Sequence, residues 1–246
     1  MNDEPMEVER AKAFAAFTYR MSAMIDVGIC LGRIVQVLAK DAPAPYDEFC
    51  RPISDRWLQK ENEFLPFSAI MAERPDLFPE FYINTVQCGE IGGCLEISFA
   101  DLTELLEDTL RLWSARGRPA EWITLLLSPD AREQGEWREL DAGRRRLVLY
   151  LFCKSLGMML ASGVPVIQAC RTAAAFLPRK EREHFTNGLE DALQSGGRLS
   201  AFLGEVGFAP PFLLQMVSIG EESGSLDPVL VKAALVYHRE LEIDST

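Results

Sequence analysis

Two glutamates stand in the same seven-residue phrase at two places in the chain. GEIGGCL begins at Gly89 and GEESGSL at Gly220, so both read Gly-Glu-x-x-Gly-x-Leu, 131 residues apart. The shared positions are Gly89, Glu90, Gly93 and Leu95 in the first phrase, and Gly220, Glu221, Gly224 and Leu226 in the second. A pair of carboxylates could bind a cation or a basic side chain. A hard cation collects about six oxygen ligands, and one glutamate per phrase supplies too few unless copies of the phrase meet. A phosphate cradle does not fit, because no lysine follows and the glycine spacing is neither that of a P-loop nor that of a dinucleotide fingerprint. Other chemistry is thin. His184 and His238 have no spaced metal-ligating partner, and neither GxSxG nor HExxH occurs. The six cysteines form no CxxC pair, and Cys153 and Cys170 lie in apolar runs, where a reduced thiol packs as a small hydrophobe. No catalytic residue, metal ligand or cofactor is assigned. An enzyme would have to use the two glutamates with a metal.

The bland reading of the phrases is a corner between two helices. Glycines at 89, 92 and 93, or at 220 and 224, let the backbone turn sharply. Glu90 and Glu221 would then lie near the N-terminus of the following helix, where a carboxylate meets unpaired N–H groups, and Leu95 and Leu226 would begin its apolar stripe.

The flanking sequence extends the correspondence. SAMIDVGICLGRIVQVLA (22–39) lies on GMMLASGVPVIQACRTAA (157–174), matching Gly28 to Gly163. Gly28 to Gly89 is longer than Gly163 to Gly220 by four residues, and the Pro-rich DAPAPYDEF (41–49) is the expected insertion. Cys30 stands opposite Pro165, and Glu63 opposite Gly197.

Each copy reads as five or six helices. The first stops at Gly28 or Gly163; the second covers about 29–40 or 164–176, and the third about 46–61 or 179–195. A short helix follows in 64–74 or 196–207. The next begins near Pro79 or Pro211 and reaches Gly89 or Gly220, and a long helix closes the copy. No convincing strand occurs in either copy. The expected fold is therefore all-α: two tandem helical-bundle domains related by internal duplication, residues 1–113 and 144–246, joined by a linker, 114–143. In that linker EWITLLLS and GEWREL flank a turn-rich PDAREQ and could form a small β-hairpin.

Apolar residues make up 48% of the chain, enough for real cores. The net charge of −12 is spread as −3 over residues 1–10, −8 over 11–110, +2 over 111–146 and −3 over 147–246. This opposes non-specific nucleic-acid binding, and it suits a basic protein partner or an ordinary solubilising surface equally. The run LVLYLFCKSLGMMLASGVPVIQAC (147–170) imitates a membrane span, but Lys154 at its centre would cost about 2.5–3.5 kcal/mol on insertion, and Gly163 and Pro165 divide it. Its apolar spacing reads as a buried helix of a bundle. The acidic N-terminus lacks a secretory pattern, so a reducing cytoplasm is expected.

These features together resemble the type II secretion system F-domain family, the platform proteins of type II secretion and type IV pilus machines. The residues that carry the resemblance are LGMMLASGVPVIQAC (156–170), GGRLSAFL (196–203) and FAPPFLLQMVSIGEESGSLDPVL (208–230). In the first copy they are LFPEFYINTVQCGEIGGCLEISFADL (77–102) and, more weakly, MIDVGICL (24–31). The resemblance implies two helical domains that act as a non-enzymatic scaffold, bind an assembly ATPase or further copies of themselves, and sit at the inner membrane. Members of the family place membrane helices between the domains. Residues 111–146 hold no stretch of the roughly 20 apolar residues that a span needs. Two origins fit: a soluble adaptor that self-associates or signals, or a chain whose anchor follows Thr246. The expected location is the cytoplasm, at most peripheral to the inner membrane.

Overall fold

Gly28 and Gly163 both adopt the left-handed region, with φ of 77° and 83°, which costs a residue without Cβ little. The amides of Ile29 and Val164 return to the carbonyls of Met24 and Met159, and the helix before each glycine closes there. Glycines and prolines of this kind divide the chain into helices. The structure, a computed structural model, describes residues 4–58, 65–116 and 136–243. The chain falls into two compact units, Met1–Leu127 and Ser128–Thr246.

The first unit holds α1 (Glu4–Asp26), α2 (Leu31–Asp41), α3 (Tyr46–Leu58), α4 (Phe67–Ala72), α5 (Glu80–Gly92) and α6 (Leu95–Arg116). The second holds α7 (Ala142–Ala161), α8 (Val166–Ala173), α9 (Arg179–Gln194), α10 (Leu199–Val206), α11 (Pro211–Ser223) and α12 (Leu226–Ile243). Among the described residues there is no strand, so the all-α reading is correct.

In each unit the first and last helices pack together, α1 on α6 and α7 on α12. The first core is aromatic: Phe14, Phe17, Tyr46, Phe78 and Tyr82 are fully buried, with ring centroids 4.7–6.2 Å apart. Fully burying a ring of this size contributes about 1.5–3 kcal/mol. Phe152, Phe185 and Phe208 form the corresponding group of the second unit, with centroids 5.3–6.1 Å apart.

The run that imitates a membrane span, 147–170, is divided between α7 and α8 by the turn at Gly163. Every residue of α7 from Leu147 to Met159 is buried, Lys154 among them. Helix α12 approaches it closely at Gly157, where a Cβ would lie 2.9 Å from Val231 Cγ2 and 3.2 Å from Val231 N. No helix among the described residues is long and apolar enough to cross a membrane.

The linker reading changes in part. The first arm of the expected hairpin, 121–128, lies outside the described residues. The second arm is not a strand: Trp137–Glu139 is one turn of 3₁₀ helix. The Trp137 amide donates to Glu181 at 3.1 Å, the Arg145 guanidinium donates to the carbonyls of Trp137 and Arg138, and Lys180 pairs with Glu136 at 2.7 Å. These bonds bind the turn to α7 and α9, and Lys180 holds the Glu136 carboxyl below its usual range. Helix α7 starts two residues before the expected boundary because Asp141 caps it, accepting from the Arg144 amide at 2.9 Å.

Candidate functional site: two glutamate-capped corners

Helices α4 and α10 begin without a local cap. Pro66 and Arg198 occupy their N-cap positions, and neither side chain accepts a hydrogen bond from the helix. The first amides of such a helix need an acceptor from elsewhere. In the first unit Glu90 supplies it. Its carboxylate accepts the Phe67 amide at 2.5 Å, the Ser68 amide at 3.2 Å and the Ser68 hydroxyl at 2.5 Å. In the second unit Glu221 accepts the Leu199 amide at 2.5 Å, the Ser200 amide at 3.2 Å and the Ser200 hydroxyl at 2.6 Å. Each carboxylate thus bridges both orphan amides and the serine beside them.

The expectation that these glutamates sit near the start of the following helix is corrected. Helices α5 and α11 do not stop at Gly89 and Gly220. They continue through Gly92 and Ser223, and end at Gly93 and Gly224, whose φ values are 65° and 66°. Glu90 and Glu221 therefore occupy the last turn of these helices and cap a helix 21–23 residues earlier in the chain. The negative end of its own helix repels a carboxylate, whereas the N-terminus of α4 or α10 attracts one, so the observed direction is the favourable one.

The other shared positions have distinct tasks. Gly93 and Gly224 supply the left-handed turn, and the following amides, those of Cys94 and Ser225, return to the carbonyls of Gly89 and Gly220 at 2.9 Å. Gly89 and Gly220 are buried inside a helix and act through their lack of bulk. A Cβ at Gly89 would lie 2.5 Å from Ser98 Oγ and 3.2 Å from Leu95 Cα; at Gly220 it would lie 3.0 Å from Leu226 Cα. Leu95 and Leu226 open α6 and α12 at this crossing. Gly28, Gly163 and Pro165 belong to another place, the turn after the first helix. Cys30 and Pro165 are both extended N-caps without a side-chain bond, so this departure between the copies leaves the backbone unchanged.

Sequence reasoning missed Ser68 and Ser200. The signal was a serine second in FSAI and second in LSAF, at the start of short helices with no capping side chain before them. Their bonds also refine the match between the copies. Ser68 to Glu90 is 22 residues and Ser200 to Glu221 is 21, so one of the four extra residues lies here and not in DAPAPYDEF. In that register Leu65, not Glu63, stands opposite Gly197.

Both oxygens of each glutamate are engaged, which suits a structural lock better than a cation site. Among the described residues no group of three His, Cys, Asp or Glu side chains could hold a metal. Cys170 is buried, and burial, with Glu221 adding to it, pushes its thiol up to about 12. Burial also pushes Cys50 up to about 12 and raises Cys153 and Cys88. These thiols are core residues. Cys30 alone is exposed among the six.

Residues 152–246 match the family model of the type II secretion system (T2SS), protein F. The type II secretion system protein F of Xanthomonas campestris pv. campestris is 22% identical over 303 residues, covering 93% of this chain and 73% of that protein. The type IV pilus assembly protein PilC of Myxococcus xanthus is 28% identical over 302 residues, covering 94% and 72%. Both alignments are longer than the 246-residue chain, so these relatives carry stretches that it lacks. PilC of Thermus thermophilus is 31% identical over 99 residues, which cover 40% of this chain and 24% of that protein. The second glutamate-capped corner falls inside the region matched to the type II secretion system protein F domain, and over 93% and 94% of its length the chain is similar to a secretion F protein and a pilus PilC protein.

Proposed function

We propose that this chain is a non-enzymatic scaffold of a secretion or type IV pilus machine, built from two copies of one ancestral helical module, and that it binds an assembly ATPase on the cytoplasmic side. The observation that carries this reading is the alignment with a secretion F protein and a pilus PilC protein over 93% and 94% of the chain, not over one unit alone. The matching hydrogen bonds of Glu90 and Glu221 support the common origin of the units.

The second reading, a soluble adaptor that has left the machine, draws on the lack of any helix among the described residues able to cross a membrane. One experiment separates the two. A tagged chain is recovered from native lysate, and its partners are identified by mass spectrometry. The scaffold reading expects the assembly ATPase or another machine component, retained on repetition with purified partner. Recovery of unrelated proteins supports the second reading, and recovery of no machine component overturns the first.

A further inference from the structure

The first corner carries two thiols that the second lacks. Counted from Gly89 and Gly220, Cys88 stands opposite Ile219 and Cys94 opposite Ser225. The backbone is the same in both: the amide after the left-handed glycine, that of Cys94 or Ser225, returns to the carbonyl of Gly89 or Gly220 at 2.9 Å. A helix end of this kind lays the side chain after the left-handed residue against one in the last turns of the helix, four or five positions before that residue. The nearer of these positions is Gly89, which has no side chain, so the contact falls to Cys88. In agreement, the Cys88 thiol is raised by burial first and by the charge of Cys94 second. Cys88 is 9% exposed, the least covered of the four buried thiols, and Cys94 is half-buried. The second corner closes with an isoleucine and a serine at these places, so the turn itself does not require sulfur.

From this arrangement we infer that Cys88 and Cys94 are a redox-modifiable pair, whose co-reactant is a small-molecule disulfide and whose product is an intrachain disulfide across the corner. The chemistry is thiol–disulfide exchange in two steps. The thiolate of Cys94, the more accessible sulfur, attacks the small disulfide, forming one S–S bond and releasing one thiolate. The Cys88 thiolate then attacks the Cys94 sulfur and expels the second. Two protons and two electrons pass from the pair to the two released thiols, so an excess of the same thiol reverses the reaction. Once Cys94 is capped, its charge no longer opposes ionisation of Cys88, which eases the second step. Cys50, Cys153 and Cys170 are fully buried and offer a small disulfide no access. The bond closes a ring over residues 88–94, and Glu90, whose carboxylate caps α4, lies within it. Oxidation therefore restrains the turn that carries the cap.

The test equilibrates the full chain, wild-type and with the exposed thiol removed by Cys30→Ser, in mixtures of oxidised and reduced glutathione, and reads its peptides by mass spectrometry. Cys88 and Cys94 should be found joined, lighter by two hydrogens, and dithiothreitol should restore both thiols. The folded chain should close the bond in a mixture at least about tenfold more reducing than the same chain needs in denaturant, because the corner holds the two sulfurs together. Cys88→Ala should stop with glutathione on Cys94, and Cys94→Ser, which copies the second corner, should leave Cys88 reduced. Circular dichroism checks that both variants fold, and the measurements on the wild-type chain decide the matter if either does not. Hydrogen exchange at the amides of Phe67 and Ser68 should slow about fivefold or more in the oxidised chain. A pair that stays reduced, or that stops at the mixed disulfide, overturns the proposal. So does a bond formed no more readily in the folded chain, a bridge from either residue to another cysteine, or exchange at Phe67 and Ser68 that oxidation leaves unchanged. The assay needs no machine component, so this inference and the scaffold reading fail separately.

Discussion

A carboxylate in the last turn of a helix faces carbonyl oxygens and gains nothing locally, which makes Glu90 and Glu221 informative single residues. Each is retained by what it reaches: two backbone amides and one hydroxyl at the start of a helix that has no cap of its own. Hydrogen bonds to a charged acceptor contribute about 1.5–3 kcal/mol each, and their loss leaves part-buried amides unpaired. Glu221→Ala should therefore lower the stability of the second unit by about 2–3 kcal/mol. Glu221→Gln should recover only part, because its NH₂ group faces donors. Hydrogen exchange at the amides of Leu199 and Ser200 reads the effect directly and should quicken by about 30-fold or more. Unchanged exchange at these two amides would mean that the cap is incidental. The sequence made the glutamates conspicuous by repeating them, but could not show their destination. Reading by neighbours assigns a carboxylate to the nearest helix end, whereas this one crosses to a helix 21–23 residues back, and only packing reveals that.

At the scale of the element, the corner uses glycine for two different physical reasons, and substitution separates them. At Gly224 the backbone is left-handed and nothing lies within 4 Å of the place a Cβ would take, so only conformational strain opposes a side chain. At Gly220 the backbone is helical, but a Cβ would meet the main chain of Leu226 at 3.0 Å. Gly224→Ala should cost about 1–2 kcal/mol, with Gly224→Asn recovering much of it, since asparagine tolerates that region. Gly220→Ala should cost about 1–3 kcal/mol through forced separation of α11 and α12, and Gly220→Asn should be worse still. Chemical denaturation of the four variants checks the order; rescue by asparagine at 220 as well as at 224 would reject the distinction. Helix positions were largely legible because Gly28, Pro79, Gly163 and Pro211 punctuate them. The ends of α5 and α11 were not, because Gly89 and Gly220 look like stops. A glycine chosen for close approach and one chosen for positive φ are the same letter. The arm of the linker at Trp137 was misread for a related reason: its conformation is set by Glu181 and Arg145, residues remote from any strand pattern.

At the scale of the whole molecule, the chain holds two cores, each closed by contact between its own first and last helices. In the second, α7 is buried from Leu147 to Met159, and α12 packs over it. The Trp137 turn belongs energetically to this unit, through Glu181, Lys180 and the ring of Phe208, 5.9 Å from that of Trp137. A fragment of residues 128–246 should consequently fold alone, whereas one of residues 144–246, the boundary expected from sequence, should lose the Asp141 cap and the Trp137 contacts together. Loss of a cap costs about 1 kcal/mol, and exposing part of an aromatic side chain costs about 1–2 kcal/mol more. The shorter fragment should unfold at a denaturant midpoint visibly below that of the longer one, with the same slope, because the surface exposed on unfolding changes little. Circular dichroism with denaturant titration on both fragments decides it. Equal midpoints would make the 3₁₀ turn a passive part of the linker, and a longer fragment that fails to unfold cooperatively would show that the second core is incomplete without the first unit.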